Sequence, residues 1–155
     1  MIEKIEWKAK DPDFKEKINS KAAKNHFMQN VGFKFQSVEI GYVETFLILE
    51  EKHLQQMGFV HGGVTATMAD ITTGFAAFTL VDKNESVVTV DLKVNYINPG
   101  KGEKLIAKAH VYKAGSKLIF CKTEIFIVDN LTVSQIAFAD SIMAVLNENP
   151  VVNQK

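Results

Sequence analysis

The chain predicts an α+β domain: one long central helix wrapped by a curled antiparallel sheet, with a helical extension at the N-terminus. Three observations carry this. Residues 61–80 form an apolar stretch of helical length holding a single charge, Asp70. Four strand-like segments follow it without another helix between them. Residues 11–30 read as a separate, polar amphipathic helix. One helix against one antiparallel sheet is an α+β arrangement. A length of 155 residues suits a single domain with a sizeable core, divided into an extension over 1–32 and the sheet-and-helix unit over 33–149.

In DPDFKEKINSKAAKNHFMQN (11–30), Phe14, Ile18, Ala22 and Phe27 recur near the helical period. Asp11 and Pro12 are the start signal and Gly32 the stop. Residues 33–50 read as extended, with Gly41 as a turn or bulge between two strand pieces. In VVTVDLKVNYI, Val88, Val90, Leu92, Val94 and Tyr96 alternate with Thr89, Asp91, Lys93 and Asn95. NPGKGE (98–103) is a turn, LIAKAHVY (105–112) a strand, and KAGSK (113–117) a hairpin turn. LIFCKTEIFIV and TVSQIAFADSIMAVL complete the set, joined at 129–130.

The balance of charge excludes some classes of function. Eighteen basic residues meet eighteen acidic ones, and every basic residue is lysine. Net neutrality gives no support to nucleic acid or an anionic membrane as partner. Without arginine, any phosphate must be held by lysine point charges and backbone N–H groups. Cys121 is the only cysteine, which excludes an intrachain disulfide and a Cys-rich metal site. His26, His53, His61 and His110 have no ligand-like spacing, so no metal is expected. MIEKIEWKAKDPDF mixes charge with apolar residues, unlike a signal peptide. The longest charge-free run, His53 to Ala69, is too short and too broken to span a bilayer. A cytoplasmic protein is the expectation.

On an ideal helical wheel, Gly63, Ala66, Gly74 and Ala77 fall within roughly 40° of Asp70, with Thr67 and Thr73 beside them. Val64, Met68, Ile71, Phe75 and Phe78 gather elsewhere, as a bulky stripe able to fill the concave sheet. The aspartate thus stands among small residues, where a second backbone can approach. The face lacks the Lys, Glu and Gln of a wet helix. Gly62 and Gly63 stand where the helix begins. They are a tight turn, or they open the unpaired N–H groups of a helix N-terminus to a ligand oxygen, as in an oxyanion hole. His61 either holds that loop or takes part in chemistry. Gly62 and Asp70 are eight residues apart, about 12 Å along a helix axis, so one carbonyl cannot touch both on one helix. Two chains related by a two-fold axis could bring Gly62 of one toward Asp70 of the other.

HGGVTATMAD and VTVDLKVNYINPGKGEKLIAKAHVYKAGSKLIFCKTEIF resemble the hotdog-fold acyl-CoA thioesterases. The branch is that of the phenylacetate-pathway and human thioesterase-superfamily-member-2-like enzymes, and the likeness covers roughly 50–145. The resemblance implies a homodimer, pairing again into a homotetramer, that hydrolyses an acyl-CoA thioester. It implies no cofactor, CoA being part of the substrate. Asp70 matches the catalytic carboxylate, acting as general base or as nucleophile. Gly62 matches the N–H donor to the thioester carbonyl, and His61 the histidine that supports this loop. Gln55 matches a polar position near the carbonyl or water, which the neighbouring Gln56 could also serve. Thr89 matches a hydroxyl that helps hold the water; it reads equally as one polar tooth of an alternating strand. For CoA, the resemblance implies Gly63, Tyr96, Asn98, Pro99, Gly100 and Lys101, and Lys113, Ala114, Gly115 and Ser116. The lysines there read equally as solubilising surface charges.

Two other readings compete. A non-catalytic acyl-CoA sensor on the same fold would need an output element, and the first 30 residues are too short and too mixed in charge for a DNA-binding one. A hydratase would need a histidine soon after Asp70, and none follows. The acyl group is not legible; Phe75, Phe78, Met57, Phe59 and Leu54 could line its pocket or belong to the core.

Overall fold

The computed structural model describes residues 6–148. The chain order is α1 (Phe14–Ala23), α2 (His26–Val31), β1 (Lys34–Glu39), β2 (Tyr42–Ile48), a 3-10 turn (Glu51–His53), α3 (Gly62–Phe78), β3 (Glu85–Tyr96), β4 (Lys104–Ala114), β5 (Leu118–Asp129) and β6 (Thr132–Asn147). One six-stranded sheet has the order β1-β2-β4-β5-β6-β3, with every pairing antiparallel. Register shifts interrupt four of its ladders, at Phe35/Ser37, Thr89/Asp91, Val111/Lys113 and Ile125/Phe126. Each extra residue bends its strand and tightens the twist, which curls the sheet around α3.

The stretch 11–30 is two helices, not one. The Asn25 side chain accepts the Met28 N–H (2.9 Å) and so caps a new helix. The restart turns Met28 inward and leaves Phe27 exposed. Gly32 ends α2 with φ 96°, and its N–H bonds to the Met28 carbonyl. Ile18 of α1 and Met28 of α2 join the same core as α3.

The helix meets the sheet through small residues as well as through part of the expected bulky stripe, of which Met68, Phe75 and Phe78 are buried. Thr65, Ala69, Thr72 and Ala76 are buried along α3 with Met68. Facing them, Ala107, Ala109, Ala137 and Ala139 are fully buried on the sheet. Small side chains on both surfaces allow close packing. Two hydroxyls in this layer pair with each other: Thr72 Oγ1 donates to the Met68 carbonyl (2.5 Å), leaving the Thr45 hydroxyl to donate to Thr72 (2.7 Å). Phe75 packs edge-on against Phe35 at 5.0 Å, and Val64 and Ile71 are only half-buried.

At the C-terminal end of α3, Thr79 Oγ1 donates to the Ala76 carbonyl and accepts the Gly41 N–H (both 2.7 Å). Gly41 has φ 73°, and the Trp7 ring lies where its Cβ would be. Glycine is required there twice over, by conformation and by space.

Candidate active site

Asp70 lies midway along α3, half-buried, opposite the sheet-facing stripe. The Thr89 hydroxyl donates to its Oδ1 at 2.6 Å. The bulge in β3 accounts for this contact. Simple alternation would put Val88, Val90 and Leu92 on one face and Thr89 on the other. β6 pairs Met143 with Thr89 and Ile142 with Asp91, skipping Val90. One extra residue inverts the parity of everything on one side of it. Val87 therefore turns inward with Leu92 and Val94, Thr89 takes the same face and reaches Asp70 while staying exposed, and Val88 and Val90 turn out, Val90 at 60% exposure.

A cleft of about 230 Å³ opens beside the carboxylate, lined by Ile71, Phe75, Phe78 and Met143 together with Lys21 and Asn25 of the extension. Sequence reasoning missed the last two. Asn25 carries a capping signal in an otherwise helical run, but nothing local marks Lys21 as facing α3. Lys21 pairs with Glu148, whose carboxyl it holds below the usual range, and lies over the Phe78 ring at 5.1 Å.

Gly62 begins α3. Of the first-turn N–H groups, Gly63 donates to His61 Nδ1 (2.9 Å), and Val64 and Thr65 donate to the His61 carbonyl. The Gly62 N–H has no acceptor among the described residues. His61 is thus the N-cap, its ring holding the loop and its proton on Nε2. Around Gly62 lies a second cleft of about 360 Å³, which also involves Phe59, Tyr96, Asn98, Pro99 and Gly100. The Tyr96 hydroxyl donates to the Gly62 carbonyl (2.8 Å), and the Asn98 amide donates to the Gln135 carbonyl (2.9 Å).

Gln55 sits half-buried in the preceding loop. Its Oε1 accepts the Met57 N–H (2.8 Å), and a Leu54–Val60 bridge closes the loop. Gln56 and Met57 are exposed, whereas Phe59 faces the Gly62 cleft.

The segments expected to hold CoA are not brought together within one chain. Lys101 is exposed just before β4, and Lys113, Ala114, Gly115 and Ser116 stand at its other end. An eleven-residue strand separates them, roughly 35 Å at strand rise. Gly115 closes the β4–β5 hairpin through the Leu118 carbonyl (2.8 Å), and Lys113 lies over the Phe120 ring at 5.8 Å. Cys121 is fully buried, and burial pushes its thiol up to about 11, which suits packing rather than nucleophilic attack. No cluster of three or more His, Cys, Asp or Glu residues fit to hold a metal occurs among the described residues. No helix among them is long and apolar enough to cross a membrane.

Residues 57–134 match the family model described as Thioesterase superfamily. The chain is 33% identical over 78 residues to mouse acyl-coenzyme A thioesterase 13, covering 50% of this chain and 55% of that one. It thus spans about half the length of the curated relatives it matches. A thioesterase family protein from Silicibacter pomeroyi superposes with a TM-score of 0.85 at 28% identity, covering 86% of this chain and 98% of that one. The Escherichia coli PaaI protein, from the phenylacetic acid degradation operon, shares the fold with a TM-score of 0.78 at 16% identity, covering 90% and 97%.

Proposed function

Because the chain belongs to the Thioesterase superfamily and has its hotdog fold, we propose that it hydrolyses an acyl-CoA thioester, at sites shared by two copies of the chain. The observation that carries this reading is the pairing of the Thr89 hydroxyl with Asp70 on the open face of α3. The Thr89 proton occupies Oδ1, which leaves Oδ2 to take a proton from water. Water attacks the thioester carbonyl, the developing oxyanion takes up the unpaired Gly62 N–H of the other copy, and CoA leaves as its thiolate. A thiolate is a stable leaving group, so the scheme uses no cofactor. A nucleophilic Asp70 forming a mixed anhydride is the variant scheme. The half-buried Gln55 amide stands ready to contact the carbonyl or the water. Tyr96, Asn98, Pro99 and Gly100 border the Gly62 cleft and are the proposed contacts for the CoA arm nearest the thioester.

The shared site rests on spacing. Eight residues of one helix separate Gly62 from Asp70, about 12 Å. β3 ends the sheet with a twelve-residue edge that is unpaired among the described residues and exposes Val88 and Val90, a surface on which a second β3 would complete the pairing. Pairs of such dimers would form a homotetramer.

The test is a panel of fatty and aryl acyl-CoA thioesters, with thiol release as readout, on wild type and Asp70→Asn. Wild type is expected to turn over part of the panel, and Asp70→Asn to lose at least about 10²-fold in kcat with an unchanged circular dichroism spectrum. Absence of CoA release across the panel would refute the activity. Full activity in Asp70→Asn would refute the site.

A further inference from the structure

The proposed reaction leaves a buried histidine without a role. His53, at 2% exposure, is the only buried histidine among the described residues. Both ring nitrogens are engaged. The Glu50 N–H donates to Nδ1 at 2.9 Å, which makes Nδ1 an acceptor. Nε2 lies 2.7 Å from the Val31 carbonyl, which can only accept, so Nε2 carries the proton. Only the neutral Nε2–H tautomer satisfies both contacts.

The backbone of the same residue faces the proposed oxyanion donor. The His53 carbonyl accepts the His61 N–H at 2.9 Å. His61 in turn caps α3 through its ring, and the Gly62 N–H has no acceptor among the described residues. The path therefore runs from the last residue of α2, through the His53 ring, to the start of α3. Close by, the loop carrying Gln55 is shut by the Leu54–Val60 bridge and the Gln55 N–H to Phe59 carbonyl bond (2.8 Å).

We infer that His53 is a positioning residue: its ring clamps the N-terminal extension to the segment that aims the Gly62 N–H. The inference rests on the proposed thioesterase reading for its kinetic consequence, but its structural content stands apart from it. Held at both nitrogens, the ring leaves the Glu50–His53 turn no freedom to rotate, and the His53 carbonyl then fixes where α3 begins. An oxyanion donor acts only at hydrogen-bonding distance from the developing charge, so a small displacement there lowers turnover more than binding. His53 touches no reacting atom in this scheme.

The experiment uses the full chain. In wild type, nitrogen NMR of the His53 ring is expected to show the neutral Nε2–H form; an Nδ1–H form would overturn the inference without any variant. His53→Asn keeps an acceptor near the Nδ1 position and loses the bond to Val31, whereas His53→Phe loses both. With thioester substrate, His53→Phe is expected to lower kcat at least about tenfold with KM within about threefold. His53→Asn is expected to fall between it and wild type. The amide signals of His61, Gly62 and Gly63 are expected to move in both variants. Unmoved amide signals, or wild-type kcat in a folded His53→Phe, would overturn the positioning role. If wild type itself releases no CoA from any thioester, the activity fails, and the ring tautomer and amide signals still decide the clamp.

Discussion

A carboxylate that activates water needs one oxygen held and the other free. The Thr89 hydroxyl supplies the hold at 2.6 Å. Thr89→Val keeps the shape and removes that bond, so kcat is expected to fall about tenfold, against the at least 10²-fold loss for removing the acid itself; thiol-release kinetics check the ranking. Cys121 behaves oppositely. Burial raises its thiol from the ordinary 9.0 to about 11, so a thiol reagent at pH 8 is expected to label it only after denaturation. The folded state holds this proton where the unfolded state has lost it. That share of stability is complete below pH 9 and disappears as pH rises toward 11. Tyr42 adds a similar loss from 10 toward 12, through burial and its hydrogen bond to Glu44. The urea midpoint measured from pH 8 to 11 is expected to decline accordingly.

Elements here follow their sequence signals where those are local, and depart where packing decides. Gly32, Gly41 and the 113–117 hairpin stand where turn chemistry places them. The split between α1 and α2 was available in Asn25, a capping residue whose signal was masked by the surrounding helical period. The bulge at Val90 had no such mark. Val, Thr, Val and Asp alternate as an ordinary strand, and the extra residue is revealed only by the β6 register. The face of α3 that meets the sheet is legible only in part, for a related reason. Bulk points to Met68, Phe75 and Phe78, which are buried, but not to Thr65, Ala69, Thr72 and Ala76, which are buried along α3 as well, with fully buried alanines on β4 and β6. Ala109→Leu, on that contact layer, is expected to destabilise by about 1–3 kcal/mol through overpacking, seen as a lowered urea midpoint at unchanged slope.

For the whole molecule, the proposed shared site makes two single-site defects complementary. Gly62→Pro removes the N–H while keeping the helix start. Proline suits the first helical position, the preceding His61 is extended (ψ 133°), and a Cβ at Gly62 would meet Tyr96 only at ordinary contact, 3.5 Å. Gly62→Pro and Asp70→Asn are each expected to be folded and nearly inactive. Co-refolded in equal amounts, they should recover about a quarter of wild-type activity, because half of the dimers are mixed and each mixed dimer holds one intact site. No recovery would sink the shared-site reading. Lys21 and Asn25 beside Asp70, and Val31 behind His53, also give the extension a hand in both halves. By itself the sequence determined the α+β class, the succession of strands along the chain before and after one apolar helix, and the candidacy of Asp70 and Gly62, because periodicity, turn chemistry and a lone charge are local properties. Tertiary structure alone decided that Thr89 reaches Asp70, that His61 caps while His53 clamps, and that the two segments expected to hold CoA lie at opposite ends of β4. Those facts depend on register, on a bulge and on which strand lies beside which, and none of these is encoded within a few residues of the groups concerned.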